Sequence, residues 1–141
     1  MAACVRIDMA DRVTDLLERA YIDEMETVMN YQTNAIVLDG VRAEEIKNSL
    51  QEDIQEELDH ANQLGQRLKQ LGGRPPGSEE FVAGQESLQP PADSTDVRSV
   101  IRGVLDAEGD AIDTYRELID AADAADDPVT EDLAVTILAD E

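Results

Sequence analysis

Four glutamates, each set into an apolar helical stripe, constrain this sequence more than any other feature. Glu24 lies among Leu17, Ala20, Val28 and Tyr31, and Glu108 among Ile101, Val104, Ile112 and Tyr115. Glu57 falls within the stripe Ile46, Leu50, Ile54, Leu58, Ala61, Leu64, Leu68 and Leu71, and Glu141 follows Ile137 and Leu138 at helical spacing. At about 100° per residue, each acid points where its helix must pack. The spacing also repeats: 24 to 57 and 108 to 141 are both 33 positions, and the second pair lies 84 positions after the first. That offset carries Val13 onto Val97, Leu17 onto Ile101, Ala20 onto Val104, Val28 onto Ile112 and Tyr31 onto Tyr115. A helix pair therefore occurs twice, which predicts a pseudo-twofold bundle with the acids converging at its centre.

The helical periods run over about 8–38, 43–71, 96–122 and 128–141. Gly40 and Gly72-Gly73 suit helix ends, because glycine takes the left-handed conformation there. Pro128, after Asp126-Asp127, suits the first turn of the last helix. The Ala-Asp run at 121–126 reads as a solvated helix end and loop. A short link makes the first two helices antiparallel neighbours. Residues 72–95 differ in kind: they hold Pro75, Pro76, Pro90 and Pro91 and no sustained period. A structureless stretch of this length fits one all-α architecture, an antiparallel four-helix bundle with a long crossover between helices two and three. Phe81-Val82 in its middle is expected to pin it to the bundle. One domain over residues 1–141 is long enough to bury a core.

His60 follows Glu57 by three residues and lies on the edge of the same stripe. The two can offer an oxygen and a nitrogen to one metal ion. Taken singly, an inward Glu commonly reaches back to water, a lone His is commonly half-exposed, and Tyr31 and Tyr115 are ordinary core aromatics. The set is different. Four inward acids at matched spacing would repel one another in a low dielectric unless protonated or bridged by cations. Iron or manganese removes that repulsion and suits carboxylate and imidazole ligands.

Composition narrows the partners. The chain carries 33 acidic and 11 basic residues, a formal net charge of -22. Such a surface repels phosphate backbones, and no basic arm offsets it, so nucleic acid is disfavoured. Acid excess with only Lys47 and Lys69 as lysines suggests a high-salt cytoplasm. No apolar run reaches signal-peptide or membrane-span length, and a soluble cytoplasmic protein is the expectation. Cys4 is alone, which allows no intrachain disulfide or thiolate cluster and reads as an unpaired thiol.

With Glu57-Leu58-Asp59-His60, Glu24, Glu108 and Glu141 in place, the sequence resembles the ferritin-like di-iron carboxylate superfamily, especially its bacterioferritin-type ferritins. Glu24 and Glu108 match the single acids, each followed seven residues on by Tyr31 and Tyr115. Glu57 and His60 match one Glu-x-x-His, and Glu141 the first residue of the other. The sequence given ends before the second His, and its fourth helix spans about half the family's length. One metal position should then be poorer in ligands, and apolar surface should be exposed on the other helices. Leu58 stands where bacterioferritins carry a haem-ligating methionine, so no haem is expected. The four-cysteine iron domain of rubrerythrins is not expected with Cys4 alone.

The resemblance implies a ferroxidase that oxidises Fe(II) with dioxygen or peroxide at a di-iron site and stores or passes on Fe(III). Glu57 and Glu141 would bridge, Glu24 and Glu108 would be terminal ligands, His60 would bind one iron, and Tyr31 and Tyr115 would orient carboxylates. It also implies a homo-oligomer. Two rivals stand beside this reading. One is a manganese or mixed-metal peroxide-consuming enzyme on the same bundle; the other is a non-catalytic acidic helical protein whose inward acids pair with arginine or stay protonated. A DNA-protecting relative fits less well, because of the charge and because that group uses sites between subunits.

Overall fold

A computed structural model describes residues 2–141, with side-chain surroundings from Asp8 onward. Cys4 lies outside the described side chains. The described residues form four α-helices, α1 (Ala2–Val37), α2 (Glu44–Gln70), α3 (Val97–Ala124) and α4 (Pro128–Asp140), with a 3-10 turn at Val41–Ala43 before α2. Helix α1 begins six residues earlier than its apolar period implies. No strand occurs among the described residues, and no described helix is long and apolar enough to cross a membrane.

Local chemistry explains the ends. Gly72 has a φ of 90°, and the Gly73 amide donates to the Leu68 carbonyl at 3.0 Å, closing α2. Asp96 caps α3 by accepting from the Ser99 amide at 3.1 Å. Asp127 caps α4 by accepting from the Thr130 amide at 3.0 Å, with Pro128 in the first turn. Arg67 of α2 ties that corner down, donating to Thr130 Oγ1 at 2.9 Å and Asp127 Oδ1 at 2.8 Å. The Ala-Asp run is a solvated helix end only in its second half: α3 ends within it, at Ala124, and Asp123, Ala124 and Asp126 are exposed, but Ala121 and Ala122 are core residues.

The interior divides into two apolar clusters. One gathers Val13, Leu16, Leu17 and Ala20 with Leu64, Leu68, Tyr115, Leu118, Ala134 and Ile137. The other gathers Tyr31, Ala35, Leu38, Ala43, Leu50, Leu88, Val100 and Ala107. Glu24, Glu57 and Glu108 fall between them along their own helices. Each fully buried leucine, isoleucine or valine contributes about 1.5–3 kcal/mol, so an almost purely aliphatic interior suffices. The buried stripe of α3 runs through Val100, Ala107, Thr114, Tyr115, Leu118, Ala121 and Ala122, shifted toward the small residues from the face expected, of which Tyr115 stays buried. Ile101 and Leu105 are therefore 41% and 62% exposed, and Leu58 on α2 is 37% exposed. Ile119, five turns further along the Ile101 side of α3, is packed against the core. Nothing described covers the stretch at Ile101 and Leu105.

The crossover is held by polar contacts, not by Phe81-Val82: Phe81 is half-buried and Val82 is 76% exposed. The buried Glu26 carboxylate accepts from the Gly84 and Gln85 amides at 2.8 and 2.7 Å. Asn30 donates to Gln85 Oε1 at 2.7 Å, and Asn34 donates to the Leu88 carbonyl at 2.8 Å. Leu88 inserts into the second cluster with a φ of 61°. It can do so because Gly103 has no side chain: a Cβ there would lie 2.9 Å from the Leu88 nitrogen. The crossover thereby forms a wall beside α1 and α3, next to the central acids.

Candidate metal centre

Four of the five expected ligands come together. Glu24, Glu57, His60 and Glu141 each offer a donor atom, all within 4.8 Å of one another. His60 Nδ1 lies 3.5 Å from Glu57 Oε2, 3.5 Å from Glu141 Oε1 and 3.8 Å from Glu24 Oε1. The Glu24, Glu57 and His60 residues are buried, and so is the Glu141 side chain. Three of these atoms, Glu57 Oε2, His60 Nδ1 and Glu141 Oε1, have no hydrogen-bond partner. Buried polar atoms without partners are rare and costly. Three of them aimed at one volume is the donor arrangement that a cation satisfies.

Glu108 is the exception. It is half-buried and outside the group, because it sits at the edge of the rotated α3 stripe. Its carboxyl nevertheless feels the others: burial raises it, as do the charges of Glu141, Glu57 and Asp53. The two tyrosines also part company. The Tyr115 hydroxyl donates to Glu24 Oε1. Tyr31 is buried and electrostatically exposed to Glu57 and Glu108, yet no hydrogen bond joins it to an acid among the described residues.

Two residues escaped the sequence reading. Asp140 Oδ2 lies 3.2 Å from His60 Nε2. A carboxylate there holds the proton on Nε2, so that Nδ1, which faces the cluster, is the nitrogen that would bind a metal on giving up its own proton. The signal was present: the doublets Glu56-Glu57 and Asp140-Glu141 obey the same 84-position offset. The other is Asp53, one turn before Glu57, whose carboxyl is raised by burial and then by the Glu57 charge.

The electrostatics describe a site held together by protons. Burial, followed by the neighbouring Glu57, pushes Glu24 up to about 10. Burial alone would lower the His60 imidazole, but Glu141, Glu57, Glu24 and Asp140 outweigh it and lift it to about 11. Glu57 goes the other way: burial raises it, but His60 and Glu24 together bring it below the usual carboxylate range. Burial raises Glu141. At neutral pH, Glu24 is thus a neutral acid and His60 a cation, and bound metal would take the place of their protons. The oxygen and nitrogen donor set suits iron or manganese rather than a thiophilic ion.

Comparison with known proteins identifies the family and the fold. The family model for the ferritin-like domain matches residues 14–141, and the chain belongs to that family. The DPS protein of Vibrio cholerae O1, described as one of the ferritin-like diiron-carboxylate proteins, superposes with a TM-score of 0.83 at 19% identity, covering 94% of this chain and 84% of its own. The Desulfovibrio desulfuricans bacterioferritin, described with a diiron site, gives 0.76 at 23% identity over 96% and 74%. The Rhodobacter capsulatus bacterioferritin gives 0.73 at 21% over 92% and 76%. These likenesses establish the all-α ferritin-like fold. A search of curated proteins returns no significant match.

Proposed function

We propose that this chain oxidises Fe(II) at a dinuclear site inside its own bundle and stores or passes on the Fe(III). The observation that carries the reading is the convergence of three unpartnered buried donor atoms on Glu57, His60 and Glu141, with Glu24 beside them. Family membership adds to it, since two of the relatives compared are described as diiron proteins. No arginine or lysine among the described residues forms an ion pair with these acids, which speaks against a purely structural ion-pair core.

Fe(II) is the substrate, and each ion gives up one electron to dioxygen or peroxide. The residues bind, orient and manage protons. Glu24, Glu57, Glu108, Glu141 and His60, through Nδ1, would hold the iron, with Glu57 and Glu141 as the shared carboxylates and Glu24 and Glu108 as the terminal ones. Binding displaces the protons on Glu24 and His60, and Asp140 keeps the imidazole in the ligating tautomer. Tyr115 fixes the Glu24 carboxylate. Glu108 has to turn inward from its half-buried position to complete the set. Leu58 offers no atom to a haem iron. A homo-oligomer is part of the proposal, supported by the exposure of Met29, Ile36 and Leu105, at 62%, 67% and 62%.

The test is anaerobic Fe(II) loading followed by air, read by absorbance. Replacing Glu57 with Gln and His60 with Ala should abolish rapid oxidation; unchanged oxidation overturns the site. Metal analysis of protein purified without added iron separates this reading from the manganese alternative, which the same hard donors would also serve.

A further inference from the structure

Asp53 precedes Glu57 by four residues on α2, and His60 follows it by three. At about 100° per residue the three share one face of the helix. With a rise of about 1.5 Å per residue, Asp53 lies about 6 Å along the axis on one side of Glu57, and His60 about 4.5 Å on the other. The His60 side leads to the first apolar cluster, through Leu64 and Leu68; the Asp53 side leads to the second, through Leu50 and Tyr31. Asp53 is half-buried, and no hydrogen bond or ion pair answers it among the described residues. A carboxylate turned into a packing face without a partner is costly. The charges around the centre divide along the same line. Beyond the effect of burial, Glu24 and His60 respond to Glu57 and Glu141. Glu108 and Tyr31 respond to Glu57 and Glu141 as well, and also to Asp53. Glu57 and Glu141 stand in both groups, and each holds a buried oxygen with no hydrogen-bond partner.

We infer that Asp53 is a ligand of the second ion of the pair, forming with Glu108 and the shared Glu57 and Glu141 a donor set made only of carboxylate oxygens, while Glu24 and His60 serve the first ion. The inference rests on the dinuclear site proposed above and adds a ligand to it. Its consequence is that the two positions differ in kind. Imidazole favours the later first-row ions, whereas carboxylates alone suit harder ones such as Mn(II) and discriminate less. The His60 position therefore fills first, and the Asp53 position holds its ion more loosely.

The experiment is anaerobic calorimetric titration with Co(II), with Mn(II) spin resonance on the same proteins. The wild type should take up two equivalents, the first tighter than the second. Asp53→Asn, which breaks no hydrogen bond, should keep the first equivalent and weaken the second by about tenfold or more. Mn(II) at two equivalents should give the coupled signal of neighbouring ions in the wild type and the isolated-ion signal in the variant. Asp53→Ala repeats both readings with no amide oxygen left to ligate. The exposed Glu52 acts on Asp53 through its charge, so Glu52→Gln is the charge-matched control and should behave as wild type. An unchanged second equivalent in both Asp53 variants overturns the assignment. Equal weakening of both equivalents, the same loss in Glu52→Gln, or a single equivalent in the wild type does so too. Absence of Co(II) binding in the wild type, or a first equivalent untouched by His60→Ala, overturns instead the site on which the inference depends.

Discussion

The hydroxyl of Tyr115, on α3, donates to Glu24 Oε1, on α1, across the middle of the bundle. The tyrosine belongs to the first apolar cluster and the acid to the donor group, so one contact couples packing to the metal site. Tyr115→Phe should leave the fold intact, cost about 1–3 kcal/mol of stability, and weaken binding of a first-row divalent ion about tenfold. Thermal melts and calorimetric titration measure the two effects. Unaltered affinity would show that Glu24 is positioned by other means.

Asp140 reaches His60 from behind, and its removal should act on the metal rather than on the bundle. Asp140→Asn is expected to lower Co(II) affinity about tenfold, with little change in melting temperature, because the aspartate is half-exposed. Asp140→Glu, which can restore the contact, should recover part of the loss.

The metal-free protein should lose stability as pH rises. Glu24 at about 10 and His60 at about 11 both keep protons that the unfolded chain has already released, Glu24 above its ordinary value of 4.5 and His60 above 6.5. The folded state binds more protons through that range, so unfolding becomes easier with each step toward alkali. The His60 contribution is fully present below 6.5 and gone above about 11. Melting temperature should therefore fall between pH 6 and 9, and saturating metal should flatten the slope. A rise over the same range would contradict the proton-held site.

Glu26 anchors the crossover and touches no metal ligand. Glu26→Ala strands two backbone amides and should cost about 2–3 kcal/mol. Hydrogen exchange at Gly84 and Gln85 should speed up while equilibrium metal affinity holds.

The net charge of -22 makes a separate forecast. Molar KCl shortens the Debye length to about 3 Å and screens self-repulsion, so the melting temperature should climb steadily from 0.1 to 2 M salt. A flat response would remove the argument for a high-salt setting.

Much of this was legible in the sequence because helical period and acid placement are local facts. The four helices, the long crossover and the grouping of Glu24, Glu57, His60 and Glu141 follow from spacing alone. Glu108 was harder. Its apolar neighbours Ile101, Val104, Ile112 and Tyr115 suggested an inward face; Tyr115 is buried, but the small residues Ala107, Thr114 and Ala121 bring the packing face round to the other side of Glu108. A stripe of bulky residues outranks small ones in a periodicity count, whereas close helix contact favours the small. The crossover anchor was missed for a related reason. Phe81-Val82 looked like a hydrophobic pin, while the working contacts are the buried Glu26 carboxylate with two amides, the Asn30 and Asn34 side-chain amides, and a single apolar residue, Leu88, which no apolar period marks. Asp140 was recoverable from the doubled acids, Glu56-Glu57 and Asp140-Glu141.

The layer of acids between the two apolar clusters gives the bundle a seam. Either half has its own oily interior, and α1, α2 and α3 pass from one to the other through a layer of neutralised charge. Draining the protons without supplying a cation would loosen the packing of the helices at that layer first. Loading with metal welds the halves, so the resting and filled forms should differ less in shape than in how cooperatively they come undone.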